Sequence, residues 1–314
     1  MVDGSEPRLA VEVGGLRLRT PVIAAAGTFG YGVEFAGVVN LAALGAIVVK
    51  GLSLHPSRGH PAPRLIETAG GMMNAVGLQN IGVDAFITAK LPALRAYGTP
   101  IVANFWGNLP EEFAEVAARL SDVEGIAALE LNISSPNKRE WGRIIATDLE
   151  LTREVIRAVR PRTRLSLWVK LSPNVTDIAS FARAAEEEGA DAVCLINTLL
   201  GMAIDLDRRR PALSNTTGGL SGPAIKPVAL RMVYDAVRAV RVPVIGMGGI
   251  MTGEDALEFL LVGARAVQVG TASFTDPCAT ERISSELATG LRRRGVTDVN
   301  AWIGSLEDPH APSA

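Results

Sequence analysis

The stretch Glu130-Leu131-Asn132-Ile133-Ser134-Ser135-Pro136-Asn137 passes abruptly from an apolar run to two carboxamides, two hydroxyls and a proline. Pro136 cannot extend a sheet ladder, and it biases Ser135 towards an extended backbone. A serine-rich turn that caps the next helix is the plain reading of such a segment. Residues elsewhere argue for more. Lys50 closes the run Ile47-Val48-Val49, and Lys170 closes Leu167-Trp168-Val169. A lysine at the end of a buried strand is costly unless it snorkels to water or meets an anion. Asn104, Asn132 and Asn197 also end apolar runs, and Asn74 lies in a long connection. Carboxamides carry donors and acceptors together, which suits a flat heterocycle with alternating N–H and C=O groups. Gly246-Met247-Gly248-Gly249 and Gly270-Thr271 end two further runs, and Gly218 to Pro223 forms another glycine-rich loop. Glycines there let backbone N–H groups approach a phosphate, although tight turns alone would also use them.

These residues need a frame that gathers strand ends. Eight short apolar runs recur along the chain: Val22–Gly27, Ala46–Gly51, Ile101–Asn104, Ala127–Ile133, Leu165–Ser172, Ala192–Thr198, Val242–Gly249 and Ala266–Thr271. They show little alternation, as expected of parallel strands buried on both faces. Amphipathic segments follow them at Val33–Leu44, Val83–Tyr97, Pro110–Leu120, Asp148–Arg160, Val175–Glu188, Lys226–Val240, Thr252–Val262 and Cys278–Arg294. Thr252 reads as a helix N-cap, with Glu254 and Asp255 in the first turn. Eight strand–helix units predict an α/β fold, a single (β/α)8 TIM barrel, over an open doubly wound sheet. Leu9 to Leu18, centred on Gly14-Gly15, predicts a β-hairpin ahead of the barrel. Long connections follow strand two (Leu52 to Gln79), strand four (Ser134 to Thr147) and strand six (Leu199 to Pro223). All leave the face where barrels carry their chemistry, and they are read as site walls and a lid. The chain is taken as one domain over 1–314, with 1–8 and about 296–314 flexible or peripheral.

Composition excludes several classes. The 314 residues are 48% hydrophobic and 20% charged, with a net charge of -2. No basic surface for nucleic acid stands out; Arg208 to Arg210 and Arg292 to Arg294 read as solvated faces. No apolar run is long enough to span a bilayer, and the polar start lacks a signal peptide's apolar core. Two cysteines and three scattered histidines argue against a disulfide framework or a metal site and fit a reducing cytoplasm.

Seven motifs occur together and in order: Met73 to Asn80, Asn132 to Asn137, Val169 to Asn174, Ile196-Asn197-Thr198, Gly218 to Pro227, Gly246 to Ile250 and Val269-Gly270-Thr271. Over residues 8 to 290 the chain resembles dihydroorotate dehydrogenases, in wording nearest the class 1B catalytic subunit. The resemblance implies oxidation of dihydroorotate to orotate in pyrimidine (UMP) biosynthesis. A base removes the C5 proton, and the C6 hydride passes to FMN. It implies that Gly222, Gly248, Gly249, Gly270 and Thr271 hold the FMN phosphate. Ala26, Lys50, Gly51, Asn104, Asn132, Lys170 and Ile196 would contact the rest of the flavin. Lys50, Asn74, Ala75, Val76, Gly77, Leu78, Asn132, Asn137, Asn197 and Thr198 would hold the pyrimidine. Ser135 and Lys50 would be the catalytic residues. It further implies a homodimer, NAD as final acceptor, and a separate electron-transfer subunit with FAD and an iron–sulfur cluster, giving a heterotetramer.

Three departures from the family pattern stand out. Ser135 occupies the place of the usual class 1 cysteine base, and a hydroxyl is a far weaker base than a thiolate. The lid, Lys138 to Arg143, is bulkier than the family's glycine-rich loop. Ala26 replaces a serine, leaving a backbone contact to the flavin. These departures keep open a related FMN oxidoreductase acting on another pyrimidine or cyclic amide. A flavin-binding scaffold without turnover also fits the motifs, and a non-redox phosphate-binding barrel such as an aldolase or synthase fits the glycine-rich strand ends. No Gly-x-Gly-x-x-Gly follows a strand and opens a helix, so the chain is expected to lack an NAD site of its own.

Overall fold

The computed structural model describes residues 6–134, 139–140 and 143–307. Its centre is a closed barrel of eight parallel strands in chain order: Val22–Ala24, Ile47–Val48, Ile101–Phe105, Ile126–Asn132, Ser166–Lys170, Ala192–Leu195, Val244–Met247 and Ala266–Val269. Each overlaps one of the eight apolar runs; seven contain their run or lie within it, and Ile126–Asn132 is offset from its run by one residue. The runs lack alternation because both faces are covered: Ile101–Phe105 is buried at every position. The inner face fills the barrel, and the outer face packs on helices.

The helices lay apolar stripes on that outer surface. Pro110–Ser121 buries Phe113, Val116, Ala117 and Leu120, the spacing of one helical face. Each such large apolar side chain contributes about 1.5–3 kcal/mol when fully removed from water. Thr252 caps Gly253–Leu261 as expected. Its hydroxyl accepts from Asp255 N, and the Asp255 carboxylate accepts from Thr252 N at 2.9 Å, a capping box worth about 1 kcal/mol. The segment Val33–Leu44 departs from expectation. It forms two 3-10 turns, Val33–Phe35 and Leu41–Ala43, in place of a helix. Gly37 and the β-branched Val38 and Val39 between them are poor helix formers.

Val11–Val13 and Leu16–Leu18 form the expected antiparallel hairpin. Gly14 and Gly15 take φ of 53° and 80°, the left-handed pair that a two-residue hairpin turn requires. The stretch after 296 is tied to the barrel by hydrogen bonds, while residues 304–307 are exposed. Val299 is buried, Arg8 N donates to Thr297 O at 2.8 Å, and Leu306 N donates to Leu261 O at 3.2 Å.

The connections after strands two and six join each other. Leu65–Thr68, Gly71–Asn74, Gly218–Ser221 and Leu199–Gly201 form one four-stranded antiparallel sheet across the mouth. Residues from both connections are therefore fixed relative to the barrel by a shared ladder. In the connection after strand four, Arg139–Glu140 pairs with Arg143–Ile144. Among the described residues no helix is long and apolar enough to cross a membrane, and no group of His, Cys, Asp and Glu is placed to hold a metal.

Candidate active site

The C-terminal strand ends and the mouth sheet enclose a cavity of about 380 Å3. Lys50, Lys170, Asn104, Asn132, Asn197 and Ile196 line it from at or just beyond the strand ends. Asn74, Ala75, Val76, Gly77 and Leu78 reach it from the connection after strand two, and Thr198 and Gly222 from that after strand six. Ala26, Gly51, Gly248, Gly249, Gly270 and Thr271 also line it. Ser135 and Asn137 lie outside the described residues.

Beneath the cavity sits a charge that strand four brings with it. Glu130 is fully buried, two residues before Asn132 and therefore on the same face of its strand. Asn104 Nδ2 donates to Glu130 Oε1 at 2.6 Å, and Gln268 Nε2 donates to Glu130 Oε2. Lys170 Nζ lies 3.7 Å from Glu130 Oε1. The lysine whose position at a buried strand end called for an anion thus has a protein carboxylate beside it. Burial, with the Glu130 charge adding to it, pushes the Cys194 thiol well up, so this cysteine stays protonated and inert.

At the rim, two strand-end amides are joined through one hydroxyl. Ser134 Oγ donates to Asn132 Oδ1 at 2.7 Å and accepts from Asn197 Nδ2 at 2.6 Å. Asn197 Oδ1 accepts from Thr198 N at 2.8 Å. The 74–78 loop is held from behind. His60 N donates to Val76 O at 3.0 Å, and the His60 ring nitrogen Nδ1 lies 3.0 Å from Ala75 O. Asn80, buried, accepts from Ser53 N and Gly82 N and donates to Ser53 Oγ and Leu78 O. Lys50 is half-buried. Burial lowers its pKa, the Arg64 charge lowers it further, and Glu34 partly opposes both.

Comparison with known proteins bears on what this cavity serves. The dihydroorotate dehydrogenase family profile matches residues 8–291. The chain belongs to the dihydroorotate dehydrogenase family. It is 57% identical over 302 residues to a protein of Trichlorobacter lovleyi called dihydroorotate dehydrogenase B (NAD(+)), catalytic subunit, covering 96% of this chain and 99% of that one. A protein of the same name from Geobacter sulfurreducens is also 57% identical with the same coverage. A crystal structure of the dihydroorotate dehydrogenase of Eimeria tenella in complex with ferulenol superposes with a TM-score of 0.78 at 25% identity, covering 99% of this chain and 91% of that one. Family membership sets aside the non-redox aldolase or synthase reading.

The residues fit the flavin that the family resemblance implies. Asn104 Oδ1 and Gln268 Oε1 are buried without a partner in the protein, and both side chains line the cavity. Buried acceptors of this kind call for a donor, and the pyrimidine edge of an isoalloxazine carries an N–H. Gly248 and Gly249 hold φ of 125° and 76°, which only glycine adopts readily. Gly270 is different. A Cβ there would stand 3.7 Å from its nearest neighbours, Ala25 and Thr28, an ordinary contact. The protein's own atoms do not demand glycine at 270; what a side chain would occupy is cavity space.

Dihydroorotate dehydrogenase motifs led to most of this wall, but five of its supports escaped sequence reasoning. Glu130 and Gln268 had a readable signal, a polar residue inside a run buried on both faces. Ser134 was seen only as a neighbour of Ser135. His60 and Asn80 act on loop backbone from positions whose partners no spacing reveals.

Proposed function

We infer that this protein oxidises dihydroorotate to orotate, the ring-desaturating step of pyrimidine biosynthesis, with FMN as its cofactor. The observation that carries the reading is the cavity in which two lysines, six carboxamides and several glycines converge, with two buried carbonyl oxygens left for a ring N–H. When bound, the flavin supplies the acceptor for the hydride that leaves substrate C6. The chain's own residues do the rest.

Gly222, Gly248, Gly249, Gly270 and Thr271 hold the phosphate, with no bulky side chain except the Thr271 hydroxyl, itself bonded to Ser221 Oγ at 2.8 Å. Ala26, Gly51, Asn104, Asn132, Lys170 and Ile196, which line the cavity, would contact the rest of the flavin. Lys50, Asn74, Asn197 and Thr198, with the backbone of Ala75 to Leu78, orient the pyrimidine and its carboxylate. Asn137 adds a further amide. The desaturation then needs a base at C5. Ser135 is the residue of the motif placed by sequence for that task; it takes the proton, and the electron pair of the C5–H bond becomes the C5=C6 double bond. A serine works as a base only if its own proton leaves through water or another hydroxyl.

The relatives' name, a catalytic subunit of an NAD(+)-linked enzyme, supports a division of labour. In it a separate subunit with FAD and an iron–sulfur cluster carries electrons to NAD, and the barrel pairs with a second copy in the cytoplasm. The test is orotate formation from dihydroorotate by the purified chain with an artificial acceptor, followed by its absorbance. Orotate formed with the dye but not with NAD is the expected result. NAD reduction by the lone chain at the dye-linked rate would contradict the separate subunit, and no orotate at all would contradict the reading.

A further inference from the structure

We propose that Glu130 is a positioning residue for the cofactor. Its buried carboxylate fixes which atoms Asn104 and Gln268 present to the flavin, and offsets the charge of Lys170. The proposal rests on the reading that this cavity holds FMN.

The geometry comes from four strands meeting at one carboxylate. Glu130 belongs to strand four, Asn104 to strand three, Lys170 to strand five and Gln268 to strand eight. All four side chains are buried, Glu130 completely. An ionised carboxylate only accepts hydrogen bonds, and both its oxygens are used here, one by each carboxamide. The reverse orientation of either amide would set a carbonyl oxygen against a carboxylate oxygen. Neither amide is therefore free to turn, and Asn104 Oδ1 and Gln268 Oε1 are left pointing elsewhere, buried and unpaired, in side chains that line the cavity.

Two buried acceptors select what can lie against them. The pyrimidine edge of an isoalloxazine offers one donor, N3–H, flanked by two carbonyl oxygens. An acceptor pair attracts the first and repels the others, so it fixes the ring's register in the site. The carboxylate also acts at a distance. Lys170 Nζ is 3.7 Å from Glu130 Oε1, so a flavin held against Lys170 would meet an ammonium whose field is partly cancelled. The ammonium alone would stabilise the electrons the ring accepts and hold them too firmly for a chain whose task is to pass them on. Glu130 lowers the ring's reduction potential.

The experiment uses the full chain, stripped of flavin and titrated with FMN by fluorescence quenching, then reloaded and equilibrated anaerobically with a redox dye. Glu130→Gln keeps shape and removes the charge. One carboxamide must then turn, and the Kd for FMN is expected to rise about tenfold. The ratio of reduced to oxidised flavin at a fixed dye ratio is expected to rise at least tenfold, about 30 mV for a two-electron couple. Gln268→Met keeps the carboxylate and removes one acceptor; it should weaken FMN binding without raising that ratio. A folded Glu130→Gln protein with the parental ratio overturns the proposal, because a merely structural carboxylate would leave the potential where it was. If Glu130→Gln does not fold, Gln268→Met decides alone, and a parental Kd in that variant overturns the proposal. A parent that takes up no FMN overturns both this proposal and the functional reading. Parental values in the variants, beside a parent that binds FMN and turns over, overturn this proposal only.

Discussion

Asn132 and Asn197, at the exits of strands four and six, are 65 residues apart in the chain and joined by the one hydroxyl of Ser134. The two amides proposed to hold the pyrimidine are thereby oriented by a residue adjacent to the proposed base. Ser134→Ala should release both. The loss of these hydrogen bonds is worth about 1–3 kcal/mol, which predicts an orotate Kd raised roughly 5- to 150-fold. Orotate titration against the flavin spectrum measures it. An unchanged Kd would mean that Ser134 only packs.

Gly270 separates cofactor fit from folding. The position tolerates a Cβ against the protein's own atoms, with nothing nearer than 3.7 Å. Gly270→Ala should therefore leave the melting temperature of the flavin-free protein within about 2 °C of the parent, while weakening FMN binding about tenfold or more. Gly249→Ala should damage both, since φ is 76° and its Cβ would meet Lys226 at 2.7 Å. Calorimetry and FMN titration on the two variants check the contrast; equal effects on folding and binding at Gly270 would remove it from the cofactor wall.

Lys50 should cost stability. Burial and the neighbouring Arg64 lower its pKa in the fold, so the unfolded chain holds this proton more tightly. Stability therefore rises with pH between the lowered folded value and the ordinary lysine value, and the cost is complete below that window. Lys50→Met should raise the melting temperature of the flavin-free protein at neutral pH, with the gain shrinking at alkaline pH. The same variant should slow flavin reduction by dihydroorotate at least about a hundredfold, through a lost cation at the substrate. Paired melting curves at two pH values test the first claim and stopped-flow the second. A lower melting temperature in Lys50→Met would show that the ammonium stabilises the fold instead.

The barrel was legible because its strands, buried on both faces, leave uninterrupted apolar runs, and because Thr252 and Asp255 mark a helix start by local chemistry alone. Lysines and amides at strand ends were legible for the same reason: a polar residue closing a buried run has few uses. The mouth sheet was not. Leu65–Thr68 and Leu199–Gly201 are each too short to announce themselves, and their common ladder joins segments more than a hundred residues apart. Glu130 was visible as a polar residue inside a buried run, but its role was not. Its meaning depends on Asn104, Lys170 and Gln268 arriving from three other strands, which no window of sequence contains. Val33–Leu44 misled because its apolar spacing suits a helix while Gly37, Val38 and Val39 do not.

Ser135 is the remaining departure from the family pattern, and its variants have opposite expected outcomes. Ser135→Ala should abolish most flavin reduction while orotate still binds, because the amides around the ring are untouched. Ser135→Cys should remain active with its optimum moved to lower pH, since a thiol ionises more readily than a hydroxyl. The parent's rate should rise towards alkaline pH. Anaerobic reduction rates across pH measure all three. A Ser135→Ala rate within a few-fold of the parent would take this hydroxyl out of the mechanism and favour another substrate for the barrel.

The central claim is that this barrel draws electrons from dihydroorotate into a bound flavin. The direct measurement mixes the FMN-loaded protein with dihydroorotate under anaerobic conditions and follows the flavin absorbance. The account predicts bleaching within the mixing experiment, with orotate released in proportion to the flavin bleached. A protein that holds FMN, keeps its fold and stays yellow with excess dihydroorotate would contradict it.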